Sequence, residues 1–136
     1  MRVPISLLFL LTAVSVAQSG DAPPSGVYEC YSTRQEMNAP GCVRTSLGCF
    51  GMKIEVAPTV MFGLIDSSNY SDYDGKKGHY SYDAAAKMLT MTDGSRKGWR
   101  YKRIADTSFR MVDAQGKETA YTCPLNPKKS VDKRPW

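Results

Sequence analysis

Apolar and polar residues alternate with a period of two along most of this chain. That spacing turns one face of a β-strand toward a core and the other toward water. "GVYECY" (26–31) places Tyr28 and Cys30 on one face, and "FGMKIEV" (50–56) alternates Phe50, Met52, Ile54 and Val56. "TVMFGLI" (59–65) is a more continuous apolar run, as in a strand buried on both faces. "GHYSYD" (78–83) sets Tyr80 and Tyr82 together, with "KMLTMT" (87–92) as its expected partner. "GWRYKRI" (98–104) puts Trp99 and Tyr101 opposite Arg100 and Lys102, and "TSFRMV" (107–112) and "KETAYTC" (117–123) end the series.

Turn residues punctuate these runs. "APT" (57–59), "DGKKG" (74–78), "DGSRKG" (93–98), "ADT" (105–107) and "DAQGK" (113–117) supply the Asp, Gly and Pro that tight reversals need. Only "SYDAAAKML" (81–89) competes, because three alanines favour helix; between two alternating runs it reads as a loop or single turn. Seven or eight short strands with turns between them predict an all-β domain. The expected form is a small antiparallel up-and-down barrel or sandwich.

The chain of 136 residues begins with "MRVPISLLFLLTAVSVAQSG", which has the form of an export signal. Arg2 is the positive start, Ile5 to Val16 the apolar run, and Ser15 and Ala17 the small residues before a cut expected between Ala17 and Gln18. The apolar run is too short to span a bilayer. The expected divisions are a signal peptide at 1–17, a mobile lead-in at 18–25, the β domain at 26–123 and a flexible basic tail at 124–136. The formal charge is +5, of which Arg2 supplies one. That excess suits anionic partners, and it is equally ordinary for solubility.

All four cysteines, Cys30, Cys42, Cys49 and Cys123, lie after the expected cut. An even count in an exported chain reads as two disulfides. Cys42 and Cys49 bracket a short loop, whereas Cys30 and Cys123 each follow a tyrosine by two residues near the two ends of the domain. The pairing Cys42–Cys49 and Cys30–Cys123 is therefore preferred. Chain entropy alone assigns these loops about 2.5 and about 4.7 kcal/mol. Zinc-ligand spacing is not present.

Chemistry is most suggestive in "DGKKGHYSYD" (74–83), which holds the single histidine, His79. An EF-hand loop with Gly75 at its sixth position places Tyr70 first and Ser81 twelfth, so two ligands are missing. A looser calcium loop would draw on Asp66, Asn69, Asp72 and Asp74. On a strand with Tyr80 and Tyr82 inward, His79 faces outward beside Ser81, as an ordinary surface residue does. The stretch reads most simply as a hairpin turn leading into a strand.

The second candidate is "GSRKGWRYKR" (94–103), with five basic residues and two aromatics. With Trp99 and Tyr101 in the core, Arg96, Lys97, Arg100 and Lys102 would form an outer basic face for an anionic partner. The aromatics Tyr28, Phe62, Tyr80, Tyr82, Trp99, Tyr101, Phe109 and Tyr121 are expected to fill the interior, or else to line a small apolar cavity. "NYS" (69–71) matches a glycosylation acceptor at Asn69. No catalytic set, metal site or cofactor is expected.

"GVYEC" (26–30), "DGKKGHYSYD", Leu89, the turn "DG" at 93–94 and "AYTC" (120–123) together resemble a pattern of small exported bacterial proteins. Those domains open on Gly-x-Tyr-x-Cys, carry a central Gly-x-Tyr-x-Tyr-Asp hairpin and close on a cysteine. The resemblance spans nearly the whole domain, and it implies a secreted β-rich fold without an established activity. The chain also resembles the periplasmic inhibitors of c-type lysozyme, which share the Tyr-x-Cys first strand and late cysteine. It departs from them at the inhibitory Ser-Gly-x-x-Tyr loop, since "SGVY" (25–28) is one residue short. Its positive charge would also repel a basic lysozyme.

These readings lead to a secreted or periplasmic, non-enzymatic binding module, expected to be a monomer. Its partner would be a protein or an anionic ligand, with nucleic acid disfavoured. An inhibitor of a cell-wall or proteolytic enzyme, or a small hydrolase, are the alternatives.

Overall fold

The computed structural model describes residues 21–136. The expected leader and its cut between Ala17 and Gln18 lie outside the described residues. In chain order the strands are β1 (Gly26–Tyr28), β2 (Tyr31–Met37), β3 (Val43–Thr45), β4 (Gly48–Val56), β5 (Phe62–Leu64) and β6 (Asn69–Asp72). They continue with β7 (Lys77–Asp83), β8 (Met88–Met91), β9 (Arg100–Ala105), β10 (Ser108–Val112) and β11 (Glu118–Asn126). A 3-10 turn, Pro58–Val60, precedes β5.

From β5 to β11 every strand pairs antiparallel with the next in sequence, and β1 pairs with both β5 and β11. These eight strands therefore close an up-and-down barrel. The Ala84–Lys87 segment is a turn between β7 and β8, as the alternation around it requires. The three further strands, β2, β4 and β3, leave the barrel beside β11 as a ribbon.

Aromatic rings occupy the barrel axis. Tyr28, Phe62, Tyr70, Tyr101 and Phe109 are fully buried, and Tyr80 nearly so. Tyr28 stacks on Phe62 at 5.0 Å between centroids, Phe62 lies 4.5 Å from Tyr101, and Phe109 meets Tyr28 edge-on at 5.2 Å. This is core filling, the first of the two arrangements anticipated for the aromatics. Tyr82 and Trp99 pack at its margin, while Tyr121 is exposed. Tyr70 was not among the expected core residues; its hydroxyl donates to Asp93 O at 2.8 Å. Its ring explains Gly78, where an added Cβ would lie 2.6 Å from a Tyr70 ring carbon.

Both disulfides form as preferred, Cys30–Cys123 and Cys42–Cys49. Closure of the barrel brings first and last strands side by side, with Tyr28 opposite Leu125. Cys30 and Cys123 lie at that seam, fully buried.

Two of the expected boundaries need correction. β11 continues past Cys123 to Asn126, and the tail expected to be flexible lies against the barrel. Arg134 Nη1 donates to Asp72 O at 2.8 Å, and Trp136 sits over Gly63. Within the described part of the lead-in, Pro23 is buried and Tyr28 Oη donates to Pro24 O at 2.7 Å. Neither end shows apolar periodicity, so a polar, proline-containing composition suggested mobility where distant partners in fact hold the chain, Arg103 Nη1 donating to Asp21 O at 2.8 Å at one end and Arg134 to Asp72 at the other.

Candidate interaction surface

His79 is on β7 opposite Asn69 of β6, and its side chain faces out, as expected. The Asp93 carboxylate receives the His79 backbone N–H at 2.6 Å and lies 2.8 Å from the ring Nδ1. That backbone bond, followed by the ring contact, holds the Asp93 carboxyl below the usual carboxylate range. Among the described residues the hydrogen-bonding side-chain partner of His79 is Asp93.

The four oxygen-bearing residues of the looser calcium loop are not brought together. Asp66 caps its own turn, accepting from the backbone of Ser68 and Asn69 and from the Asn69 side-chain amide. The amide of the candidate glycosylation residue is thus engaged. Asp72 is buried and engaged by other partners, Ser95 Oγ donating to its Oδ2 at 2.5 Å and the Lys76 N–H to its Oδ1 at 2.8 Å. Among the described residues no three His, Cys, Asp or Glu side chains converge as a metal would need.

Burial pushes the Asp72 carboxyl up, but the Ser95 hydroxyl, the Lys76 N–H and the Arg96 charge outweigh it, leaving it below its ordinary value. A depressed folded-state value contributes stability that is complete above the unfolded pKa of about 3.9 and is lost as pH falls through the folded one. Asp72→Asn is expected to cost about 1–3 kcal/mol at neutral pH and to flatten the acid limb of the melting temperature. A variant as acid-sensitive as the parent would show that Asp66 and Asp93, not Asp72, carry that limb.

The basic run does not make the outer face predicted for it. Arg96 is a correction: it is 5% exposed, and its guanidinium donates to Met61 O and, at 2.6 Å, to Thr59 O. It also lies 4.8 Å over the Trp99 ring. Its task is to pin the Pro58–Val60 turn across one end of the barrel. Arg100 donates to the carbonyl of Asp113 at 3.2 Å, and Lys102 is 3.4 Å from Glu118. Of the four, Lys97 alone stands exposed without a side-chain partner among the described residues.

Most of the exposed large apolar side chains among the described residues lie elsewhere, on the ribbon. β2 pairs with β11 only at Tyr31 and Ser32, then runs out with β4 alone, register Thr33↔Ile54, Gln35↔Met52 and Met37↔Phe50. β3 adds a short third strand at the tip, with Val43 opposite Phe50. Side chains alternate, so Arg34, Glu36, Lys53 and Glu55 share one face, where Arg34 and Glu55 approach to 3.1 Å. The opposite face carries Met52, Ile54 and Val56, exposed by 61, 65 and 65%. The tip loop folds over the charged side: an added Cβ on Gly51 would meet Ala39 Cβ at 3.1 Å. Among the described residues nothing covers the apolar side. At the apex Leu47 is 83% exposed, on a turn held by Cys42–Cys49 and by Thr45 Oγ1 donating to Gly48 O at 3.0 Å.

The alternation of Phe50, Met52, Ile54 and Val56 was legible in the sequence; its exposure was not. Comparison of the chain with protein-family models, with curated proteins and with solved structures returns no match. Among the described residues no helix is long and apolar enough to cross a membrane.

Proposed function

We propose that this protein is an exported, non-enzymatic binding module that meets its partner through the free ribbon. The observation that carries this reading is the row Met52, Ile54, Val56, more than half exposed on a hairpin that lends nothing to the core. Exposed apolar rows cost solubility and favour aggregation, so a contiguous one on a braced element is better explained by a contact than by chance. Two disulfides suit an oxidising compartment, in keeping with the expected export signal. The likeness to small exported bacterial domains points the same way. The anionic-ligand version of this reading loses its basis with Arg96 buried and Lys102 paired.

The inhibitor reading has one feature in its favour. A disulfide-clamped loop with Leu47 at its apex has the form of a wedge for an enzyme cleft, pre-ordered and apolar at the point. A photo-crosslinking residue at Ile54, at Leu47 or at the barrel position Ser81, in cells that export the protein, separates these readings. Adducts from Ile54 are expected, with none from Ser81; adducts from Leu47 alone favour the inhibitor. Equal labelling from all three positions would overturn the ribbon as the working surface. Met52→Glu, in the same exposed row, should abolish the adducts from position 54 while leaving barrel stability within about 0.5 kcal/mol, as for a surface site.

A further inference from the structure

Beyond its apolar face, the ribbon has an open edge. β3 pairs with β4 only from Gly48 to Phe50, so Gly51–Val56 has no neighbour on that side among the described residues. Two hydrogen bonds fix which residues point there. Asn38 N donates to Cys49 O at one end of the β2–β4 ladder, and Ala57 N to Cys30 O at the other. In an antiparallel pair such bonds recur at every second residue. Lys53 and Glu55 therefore direct their backbone groups to β2, while Met52, Ile54 and Val56 direct theirs to the open edge.

The segment at that edge, "MKIEV", is complementary to itself when reversed about Ile54. An antiparallel copy centred there places Ile54 against Ile54, Met52 against Val56 and Lys53 against Glu55 of the second chain. All three pairs of edge-facing residues then exchange N–H···O=C bonds. The Lys53–Glu55 pairs fall at the non-hydrogen-bonded positions, where side chains approach most closely. Shifting the centre to residue 53 sets Lys53 against Lys53, and shifting it to 55 sets Glu55 against Glu55. Like charges directly opposite disfavour both registers. Charge in the middle of an edge strand ordinarily blocks pairing; here Lys53 and Glu55 select one register of it.

We propose that two copies of this chain pair edge to edge through β4, centred on Ile54. This rests on the reading of the ribbon as a contact surface and gives it a first occupant, in contrast to the monomer expected from the sequence. Paired residues of adjacent strands point to the same side of a sheet. The two-fold pair therefore sets both Met52–Ile54–Val56 rows next to one another. One broad apolar face results, twice the width available on a single ribbon, with the charged residues of both copies on the reverse.

Sedimentation velocity on the chain without its leader, from micromolar to millimolar concentration, tests the pairing together with charge swaps. Lys53→Glu sets acid against acid across the seam, and Glu55→Lys sets base against base. Each alone is expected to weaken self-association at least about tenfold. The double variant should regain it, and an equimolar mixture of the two single variants should form a mixed dimer. A chain that stays monomeric throughout, or a dimer indifferent to the swaps, overturns the proposal. Equal barrel melting temperatures among the variants exclude misfolding as the cause. The Ile54 photo-crosslinker separates this failure from that of the ribbon itself. Self-adducts at twice the chain mass accompany pairing; adducts to another protein alone sink the pairing and keep the contact surface; no adduct sinks both.

Discussion

Replacing Cys30 and Cys123 together by alanine is expected to lower the unfolding free energy by about 2–5 kcal/mol, the range for a native disulfide in a small exported domain. The bond joins residues 93 apart in sequence, so nearly the whole barrel lies in the loop it closes. It also sits at β1–β11, one of the two seams, with β1–β5, that the meander does not make for itself. β5 to β11 are each connected to the next through a short loop, whereas β1 meets β11 through two register pairs, Val27↔Asn126 and Tyr28↔Leu125, continued by the Glu29 N–H donating to Pro124 O. Both sulfurs are buried, so their loss also leaves a small void beside Val60, whose carbonyl faces Cys30 Sγ at 3.2 Å.

Cys42→Ala with Cys49→Ala should behave differently. Chain entropy gives that short loop about 2.5 kcal/mol, but the ribbon it braces is outside the core, so barrel melting should hardly move. Amide exchange at Val43–Phe50 should speed up instead. Urea titration of both double variants checks the contrast, and equal losses would show that ribbon and barrel unfold as one unit.

Arg96→Met should cost about 3–5 kcal/mol, comparable to breaking a buried charge network. The substitution keeps apolar bulk over Trp99 but removes the donors to Met61 O and Thr59 O. The Met61 carbonyl is buried, and a buried acceptor without a donor carries its full desolvation cost. The Pro58–Val60 turn would lose its tie across the barrel end, and with it the seat of Val60, whose carbonyl accepts from the buried Tyr101 hydroxyl at 3.1 Å. Arg96→Lys retains the charge but has no planar fork for two carbonyls, so it should recover only part of the loss. Removing the positive charge also raises the Asp72 carboxyl toward its ordinary value, moving the acid limb of stability to higher pH. A loss below about 1 kcal/mol would mean that water replaces the guanidinium.

Which parts of this were readable in advance follows from the range of the forces involved. Period-two alternation and turn chemistry are local, so the sequence by itself determined the all-β class, the antiparallel order and the inward Tyr28, Cys30, Tyr80 and Tyr101. The cysteine spacing supported only a preference among three possible pairings, and the tertiary structure decided it. Arg96 escaped because its partners, Met61 and Thr59, stand 35 and 37 residues away; a charge beside a turn looks solvated until distant carbonyls arrive over it. The tail escaped for the same reason, since Arg134 meets Asp72 across 62 residues.

The ribbon marks the limit most plainly. Alternation in "FGMKIEV" states that one face of β4 is apolar, and nothing local states what covers it. Only the tertiary structure decided that none of the described residues does. β2 parts from β11 after Tyr31 and Ser32, carrying β4 away from the barrel, and the core is already filled by aromatic rings from the other strands. A face left without a second layer is exposed by topology, which no pattern along a single strand records.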